Sequence, residues 1–258
     1  MSYPIPTKTI LFLGATGGCA LSTLRRSLAA GHTCIAVCRT PSKLLALLPA
    51  DQRSLPTLHT VQGNATDTTT VARALVYTPS APGAAPTLVD TIVFALGGAF
   101  DWKKFDNDQP TLCQDAMKAL LAALTHVRAA SPALAAAPPP RIVAVSTTGI
   151  PDSGVRDVPR LLAPLYHVLL KEPHKDKKAM EGALKGSQTR WTIARASLLT
   201  DGNEGRKVRV GVEDPVKGTL ESSAVGYTIS REDVGKWIFE NVVQGGDRFV
   251  GKAVTLTY

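Results

Sequence analysis

The chain has 258 residues, 44% of them hydrophobic, which is enough apolar material for a substantial core. No apolar run approaches the ~20 residues of a membrane helix, and the opening MSYPIPTK lacks the apolar stretch of a signal peptide. A soluble, cytoplasmic protein with no membrane partner is therefore expected. Net charge is +8, with the positives scattered apart from a cluster at 171–178 and no zinc finger, aromatic RNA-binding motif or basic tail, so the excess points to an anionic cofactor or substrate and not to nucleic acid.

In chain order, KTILFL (8–13) reads as a strand, followed by a helix over 19–31 with Leu21, Leu24 and Leu28 at helical spacing and Gly31 as its stop. TCIAVC (33–38) is a second strand, PSKLLALL (41–48) a helix, TLHTVQG (57–63) a third strand and DTTTVARAL (67–75) a helix with an aspartate at its start. LVDTIVFALGG (88–98) is a fourth strand, 112–130 a long helix, and RIVAVSTTG (141–149) a fifth strand. Helical patterns cover about 157–185, WTIAR (191–195) is a sixth strand, 230–243 a capped amphipathic helix and AVTLTY (253–258) a closing strand at a sheet edge or in a small lobe. The Pro- and Ala-rich stretches 79–87 and 130–140 read as exposed loops.

This alternation predicts an α/β fold, a doubly wound, Rossmann-like parallel sheet with helices on both faces. We read 1–258 as one domain, with a small C-terminal substrate lobe drawn mainly from 150–185 and 196–230, where the alternation weakens. The four cysteines, Cys19, Cys34, Cys38 and Cys113, have neither zinc-type CxxC pairing nor a secreted-scaffold spacing. They predict free thiols in a reducing compartment and no metal.

GATGGCA (14–20) lies between a strand and a helix, where a dinucleotide pyrophosphate docks on a helix N-terminus. Gly14 suits a tight turn, Gly17 and Gly18 let backbone approach phosphate oxygens, and Ala20 stands where a third glycine would fall. The cradle is expected to run through Gly14, Thr16, Gly17, Gly18 and Cys19. The second strand ends in AVCRTPSKL, and no carboxylate occurs between Gly31 and Asp51 to accept from a ribose hydroxyl. Arg39 and Lys43 stand there instead, and a guanidinium forks onto a 2′-phosphate, so NADP(H) is the expected cofactor.

Taken with VFALGG (93–98), VAVSTTG (143–149), DVPRL to HKDKKAME (157–181), WTIARASLLTDG (191–202) and TISREDVGKWI (228–238), these motifs span nearly the whole chain. The chain resembles the NmrA-like branch of atypical short-chain dehydrogenase/reductases, and is also similar to the flavin and biliverdin-IXβ reductases. The resemblance implies that Asn64 and Ala65 lie beside the adenine, with Asn64 replacing the usual aspartate. It implies that Ala95, Leu96 and Gly97 line the ribose and nicotinamide path, that Ser146 lies near the nicotinamide, and that Ala196 and Ser197 form the turn after strand six, where a proline is common, with Ser197 expected to bind the cofactor.

Classical members of the superfamily use a Tyr-x-x-x-Lys pair. Lys177 takes the lysine position here, Pro173 takes the tyrosine position, and no such motif occurs anywhere in the chain. Ser146 is a candidate donor to a substrate oxygen, and Lys177 a candidate holder of the nicotinamide ribose. His174 titrates in a useful range, and Tyr166 is a candidate phenol on a lid helix. An enzyme without a dedicated acid suits flavin-, quinone- or polyketide-like small molecules. A non-redox isomerase, dehydratase or cyclase and a dinucleotide-sensing regulator are the alternatives on the same fold. A monomer or weak homo-oligomer is expected.

Overall fold

The computed structural model describes residues 6–97, 100–101, 106–107, 109–159, 171–202 and 205–258. Its first half alternates β1 (Thr9–Leu13), α1 (Gly18–Ala29), β2 (Thr33–Cys38), α2 (Pro41–Leu47), β3 (Leu58–Gln62), α3 (Thr68–Leu75), β4 (Thr91–Phe94) and α4 (Leu112–Ala130). A short helix α5 (Pro132–Ala136), β5 (Arg141–Thr147), α6 (Lys171–Lys185) and β6 (Arg190–Ala196) follow. Then come β7 (Leu198–Thr200), β8 (Arg209–Asp214), β9 (Thr219–Ser222), β10 (Thr228–Ser230), α7 (Arg231–Ile238) and β11 (Lys252–Thr257). The nine-stranded sheet runs β9-β8-β11-β6-β5-β4-β1-β2-β3, parallel from β3 to β11 and antiparallel at β8 and β9. Its β3-β2-β1-β4-β5-β6 portion is the doubly wound order, with the switch point between β1 and β4.

The near-continuous apolar strands serve two cores, because successive side chains face opposite ways. Ile10 and Phe12 pack with Leu21, Leu24 and Leu28 of α1 and with α7, whereas Leu11 and Leu13 pack with Met117 and Leu120 of α4 and Met180 of α6. Full burial of each such side chain contributes about 1.5–3 kcal/mol. Helix starts follow local chemistry. Asp67 accepts from the Thr69 and Thr70 amides, and Ser230 from the Asp233 amide.

Several expectations shift. The fourth strand shortens to Thr91–Phe94, because Thr87–Leu88 pairs separately with Val76–Tyr77. The loop predicted over 130–140 contains α5, started by Ser131 and anchored by buried Leu134. The helix predicted from 157 begins, among the described residues, at Lys171, and 160–170 lies outside them. The helix predicted to run to 243 ends as α7 at Ile238 and passes into a π-helical turn, Phe239–Val243. Lys8 donates to the Val243 carbonyl and Arg141 to the Val242 carbonyl at the turn's end, as cations do at helix ends, and Arg141 also reaches the Gly246 carbonyl three residues beyond it.

The closing strand is interior, not an edge, since β11 lies between β6 and β8. Much of 196–230 also joins the main sheet through β8 and β9, while β7 and β10 form a separate parallel pair. No helix among the described residues is long and apolar enough to cross a membrane.

Candidate active site at the C-terminal ends of the strands

Beyond β1 the chain turns sharply. Gly14 sits at φ +93°, and the Gly17 amide donates back to its carbonyl at 2.8 Å. A Cβ at Gly14 would lie 2.6 Å from the Ala95 carbonyl oxygen, so only glycine lets this turn press against the end of β4. Helix α1 then starts at Gly18, with Gly17 as a cap that offers no side-chain acceptor and no acidic residue in the first turn. The first amides of a helix have no intrahelical acceptor, so the start of α1 is a set of donors with local positive potential and no internal anion.

These elements open onto a cleft of about 650 Å³. Ten of the predicted cofactor residues line it: Gly14, Thr16, Gly17, Arg39, Lys43, Asn64, Ala65, Ala95, Leu96 and Gly97. Arg39 and Lys43 are exposed, with no side-chain hydrogen bond or ion pair among the described residues, and no carboxylate among those residues lines the cleft. Asn64 Oδ1 is engaged by the Thr66 amide at 3.2 Å in a local turn, and the Asn64 carbonyl accepts from Asp67. Ala15, Val37, Cys38, Thr40 and Gly63 fill in the wall between these residues, and Gln109 and Leu112, which no local motif marks, reach it from just before α4 and from its first residue.

Three predicted residues are placed differently. Gly18 and Cys19 belong to the first turn of α1, off the cleft lining, and can reach a ligand only through their amides. The Cys19 thiol is buried, which pushes its pKa up to about 11 against the opposing pull of Arg231 and Lys177. Ser197 is a correction. Its side chain is 3% exposed, donates to Thr257 Oγ1 at 2.9 Å, and its amide bonds the Leu256 carbonyl. Pairing with the incoming β11 uses this serine, and it is not on the cleft.

Helix α6 brings charge to the other side of the strand ends. Lys177 Nζ donates to the Leu96 carbonyl at 2.7 Å and the Val145 carbonyl at 2.8 Å, which uses two of its three N–H groups. Next to Val145, the Ser146 Oγ is buried and has no hydrogen-bond partner among the described residues. His174 lies one turn before Lys177 on the same helix and is half-buried, while Lys178 is exposed. Tyr166 lies outside the described residues.

The neighbouring Asp176 is turned toward α4. Its carboxylate accepts from the Cys113 amide at 2.9 Å and the Gln114 amide at 2.8 Å, supplying the cap that Thr111 does not. Cys113 Sγ in turn donates to the Leu96 carbonyl at 3.3 Å, so α4 and α6 converge on one cleft residue. Replacing Asp176 with alanine orphans two donors and should lower stability by about 1–3 kcal/mol in urea unfolding. An unchanged midpoint would show that water replaces the cap.

A buried ionic group completes the site's foundation. Arg195 of β6, in register with Ser146, is 1% exposed and forks onto Glu181 of α6 at 3.1 and 2.6 Å. It also pairs with Asp152 at 2.7 Å and with Glu213 of β8, and Lys185 joins Asp152 at 2.6 Å. Burial alone would lower the Arg195 pKa, but the three carboxylates hold it above its ordinary value. This group ties α6, the loop after β5 and the sheet's antiparallel edge together.

The sheet order, the glycine loop and the cleft at the switch point define a Rossmann-like dinucleotide-binding protein. The sequence profile of the NAD(P)H-binding family matches residues 14–244, and the chain belongs to that family. It is 39% identical over 273 residues to Reductase pytE of Aspergillus terreus, covering 97% of this chain and 98% of that protein. Oxidase pynE of Aspergillus niger is 40% identical over 281 residues, covering 96% and 98%. Among solved structures, a short-chain dehydrogenase/reductase of Veillonella parvula in complex with NADP superposes with a TM-score of 0.69 at 16% identity, covering 98% of this chain and 95% of that one. The anaerobillin reductase ChuY of Escherichia coli O157:H7 gives 0.61 at 19%, covering 96% of each. These two likenesses establish the fold.

Proposed function

We propose that the protein is an NADP(H)-dependent oxidoreductase acting on a small, flat organic molecule of the flavin, quinone or polyketide type, in the cytoplasm, as a monomer or weak homo-oligomer. The cofactor reading is carried by Arg39 and Lys43, two cations on the cleft with no partner among the described residues and no carboxylate beside them. The NADP complex of the Veillonella parvula protein supports the same choice, and relatives named as a reductase and an oxidase support redox chemistry.

The bound nicotinamide supplies the hydride chemistry. The chain's own residues position and charge the site. The amides at the start of α1 would hold the diphosphate, and Arg39, with Lys43 adding charge, would hold the 2′-phosphate. Lys177, fixed by the Leu96 and Val145 carbonyls, would hold the nicotinamide ribose through its remaining N–H. Ser146 carries a buried hydroxyl left to donate to a substrate oxygen. Pro173 replaces the phenol of a classical carbonyl reductase. Acceptors that delocalise the incoming charge need less help from a protein acid, and His174 and Tyr166 are the proposed side chains for what help is needed.

Calorimetric titration of NADPH and NADH into wild type and Arg39→Ala tests the assignment. Loss of a charge-assisted hydrogen bond at this exposed position should weaken NADPH by about 10- to 150-fold and spare NADH. Equal losses for both nucleotides would refute the 2′-phosphate role. The substrate half is checked by following NADPH absorbance. Rapid reduction of simple aldehydes, with flavins and quinones untouched, would overturn it.

A further inference from the structure

Helices α1 and α7 pack unusually close. A Cβ on Gly235 would lie 2.4 Å from Ser22 Cβ and 2.5 Å from the Cys19 carbonyl oxygen. The small residues opposite are used as fasteners, with Ser22 Oγ donating to the Glu232 carbonyl at 2.9 Å and Thr23 Oγ1 to the Gly235 carbonyl at 3.1 Å. Arg26 and Glu232 add an ion pair at 2.7 Å. One helical turn before Gly235, this packing lays Arg231 on the first residue of α1. A Cβ on Gly18 would meet Arg231 Cδ at 2.6 Å and Cβ at 2.8 Å, so the arginine stem fills the space that a side chain at position 18 would occupy.

The electrostatics of that placement are unfavourable as they stand. A helix N-terminus repels cations, and here the Arg231 side chain is packed on Gly18, the first residue of α1, whose first turn has no side-chain cap and no acidic residue. The only ion pair Arg231 makes among the described residues is with Asp201 at 2.7 Å, and that carboxylate is 92% exposed, where such pairs contribute little. An anion between the helix amides and the guanidinium would satisfy both.

We propose that Arg231 is a cofactor ligand directed at the diphosphate, closing over the bridge that the α1 amides cradle from below. This rests on the proposed cofactor reading and adds to it a second contact, independent of the 2′-phosphate. Gly18 serves it by leaving room for the arginine stem, and the tight α1–α7 packing fixes the stem's position so that only the guanidinium swings, from Asp201 to the phosphate oxygens.

The test is calorimetric titration of NADPH, NADH and adenosine 2′-monophosphate into wild type, Arg231→Ala, Arg231→Lys and Arg39→Ala. Arg231→Ala should weaken NADPH and NADH alike, about 10- to 100-fold, and leave the monophosphate unchanged, since that probe has no diphosphate. Arg231→Lys should recover part of the loss. Arg39→Ala should show the complementary pattern, weakening NADPH and the monophosphate while sparing NADH. The proposal is overturned if Arg231→Ala binds both dinucleotides as wild type does, or if its only effect is on the KM of an acceptor. Failure of the cofactor reading looks different, as a wild type that binds neither dinucleotide or an Arg39→Ala variant that binds NADPH unchanged. The first of these results removes the inference as well. Arg231→Lys keeps most of the packed stem and should melt as wild type does, so its partial affinity loss separates ligand loss from unfolding, whereas any drop in the melting temperature of Arg231→Ala reports the lost stem.

Discussion

Replacing Arg195 with methionine should lower the unfolding free energy by about 3–5 kcal/mol, because it leaves buried carboxylates without their cation. Glu181 is 1% exposed and both its oxygens are bonded to Arg195, so it has no alternative partner of comparable geometry. The pH dependence should identify the cause. Burial alone would raise the Asp152 carboxyl, but hydrogen bonds from Lys185 and Arg195 hold it below its ordinary 3.8. Burial would likewise raise Glu213, and hydrogen bonds from Ser153 together with the Arg195 charge hold it below 4.5. Groups with lowered folded-state values contribute stability that is present above their ordinary pKa and is lost as pH falls through the lowered one. Without Arg195 the hydrogen bonds from Lys185 to Asp152 and from Ser153 to Glu213 remain but the guanidinium's share of the lowering is lost, so the variant has less carboxylate-linked stability to lose on acidification. The gap between wild type and variant should therefore be widest near neutral pH and narrow below about pH 4. Urea unfolding at both conditions measures it, and a small, pH-independent gap would mean that water, not Arg195, neutralises the carboxylates. A double variant, Arg195→Met with Glu181→Leu, should recover part of the loss, as an apolar pair of similar volume often does.

The reasons this network went unread while the cofactor cleft did not are physical. The cradle, Arg39, Asn64 and Ala95 to Gly97 all follow directly on strand ends, and a parallel sheet brings successive strand ends to one line. Their placement follows from local pattern plus one topological rule. Arg195 sat in WTIAR, an otherwise apolar strand, and its charge was the available signal that a carboxylate must be buried beside it. Which carboxylate could not be read, because Glu181, Asp152 and Glu213 arrive from three different elements. Ser197 failed for a related reason. Its position in the turn after β6 was legible, but the hydroxyl is taken by β11, some 60 residues on, and that neighbour is set by sheet order and not by spacing. The antiparallel strands β8 and β9 were invisible to an apolar-pattern reading because β9 is exposed throughout and the buried end of β8, Gly211 to Asp214, includes a glycine and two acids. Asp176 next to Lys177 shows the limit from the other side. Adjacent residues on one helix serve different partners, one capping α4 and the other fixing the strand ends.

Gly14→Ala should abolish tight binding of NADPH and NADH together, and the comparison that isolates the cause is Gly31→Ala. Both glycines have positive φ, +93° and +78°, so both variants incur backbone strain of about 1–3 kcal/mol. Around Gly31 nothing lies within 4 Å of an added Cβ, and the residue merely ends α1 at the far side from the cleft. Its alanine variant should lose stability alone. At Gly14 the Cβ meets the Ala95 carbonyl oxygen at 2.6 Å and the Ala95 carbonyl carbon at 2.9 Å, both main-chain atoms that no rotamer change can move. Relief requires the turn to lift from β4 or the end of β4 to move outward, and Ala95 and Leu96 line the same cleft. Either movement displaces the α1 amides relative to the opposite wall, and loss of one or two charge-assisted hydrogen bonds to the diphosphate, each about 1.5–3 kcal/mol, costs at least about 10-fold in affinity. The loss should be equal for the two dinucleotides, because the displaced elements face the part they share, whereas the Arg39 variant separates them. If Gly14→Ala melts lower than wild type by no more than Gly31→Ala does, yet binds neither nucleotide, the glycine is required for the cradle and not only for folding. Wild-type affinity in that variant would mean that the loop relaxes without moving the phosphate donors, and that the close approach to Ala95 has no part in holding the cofactor.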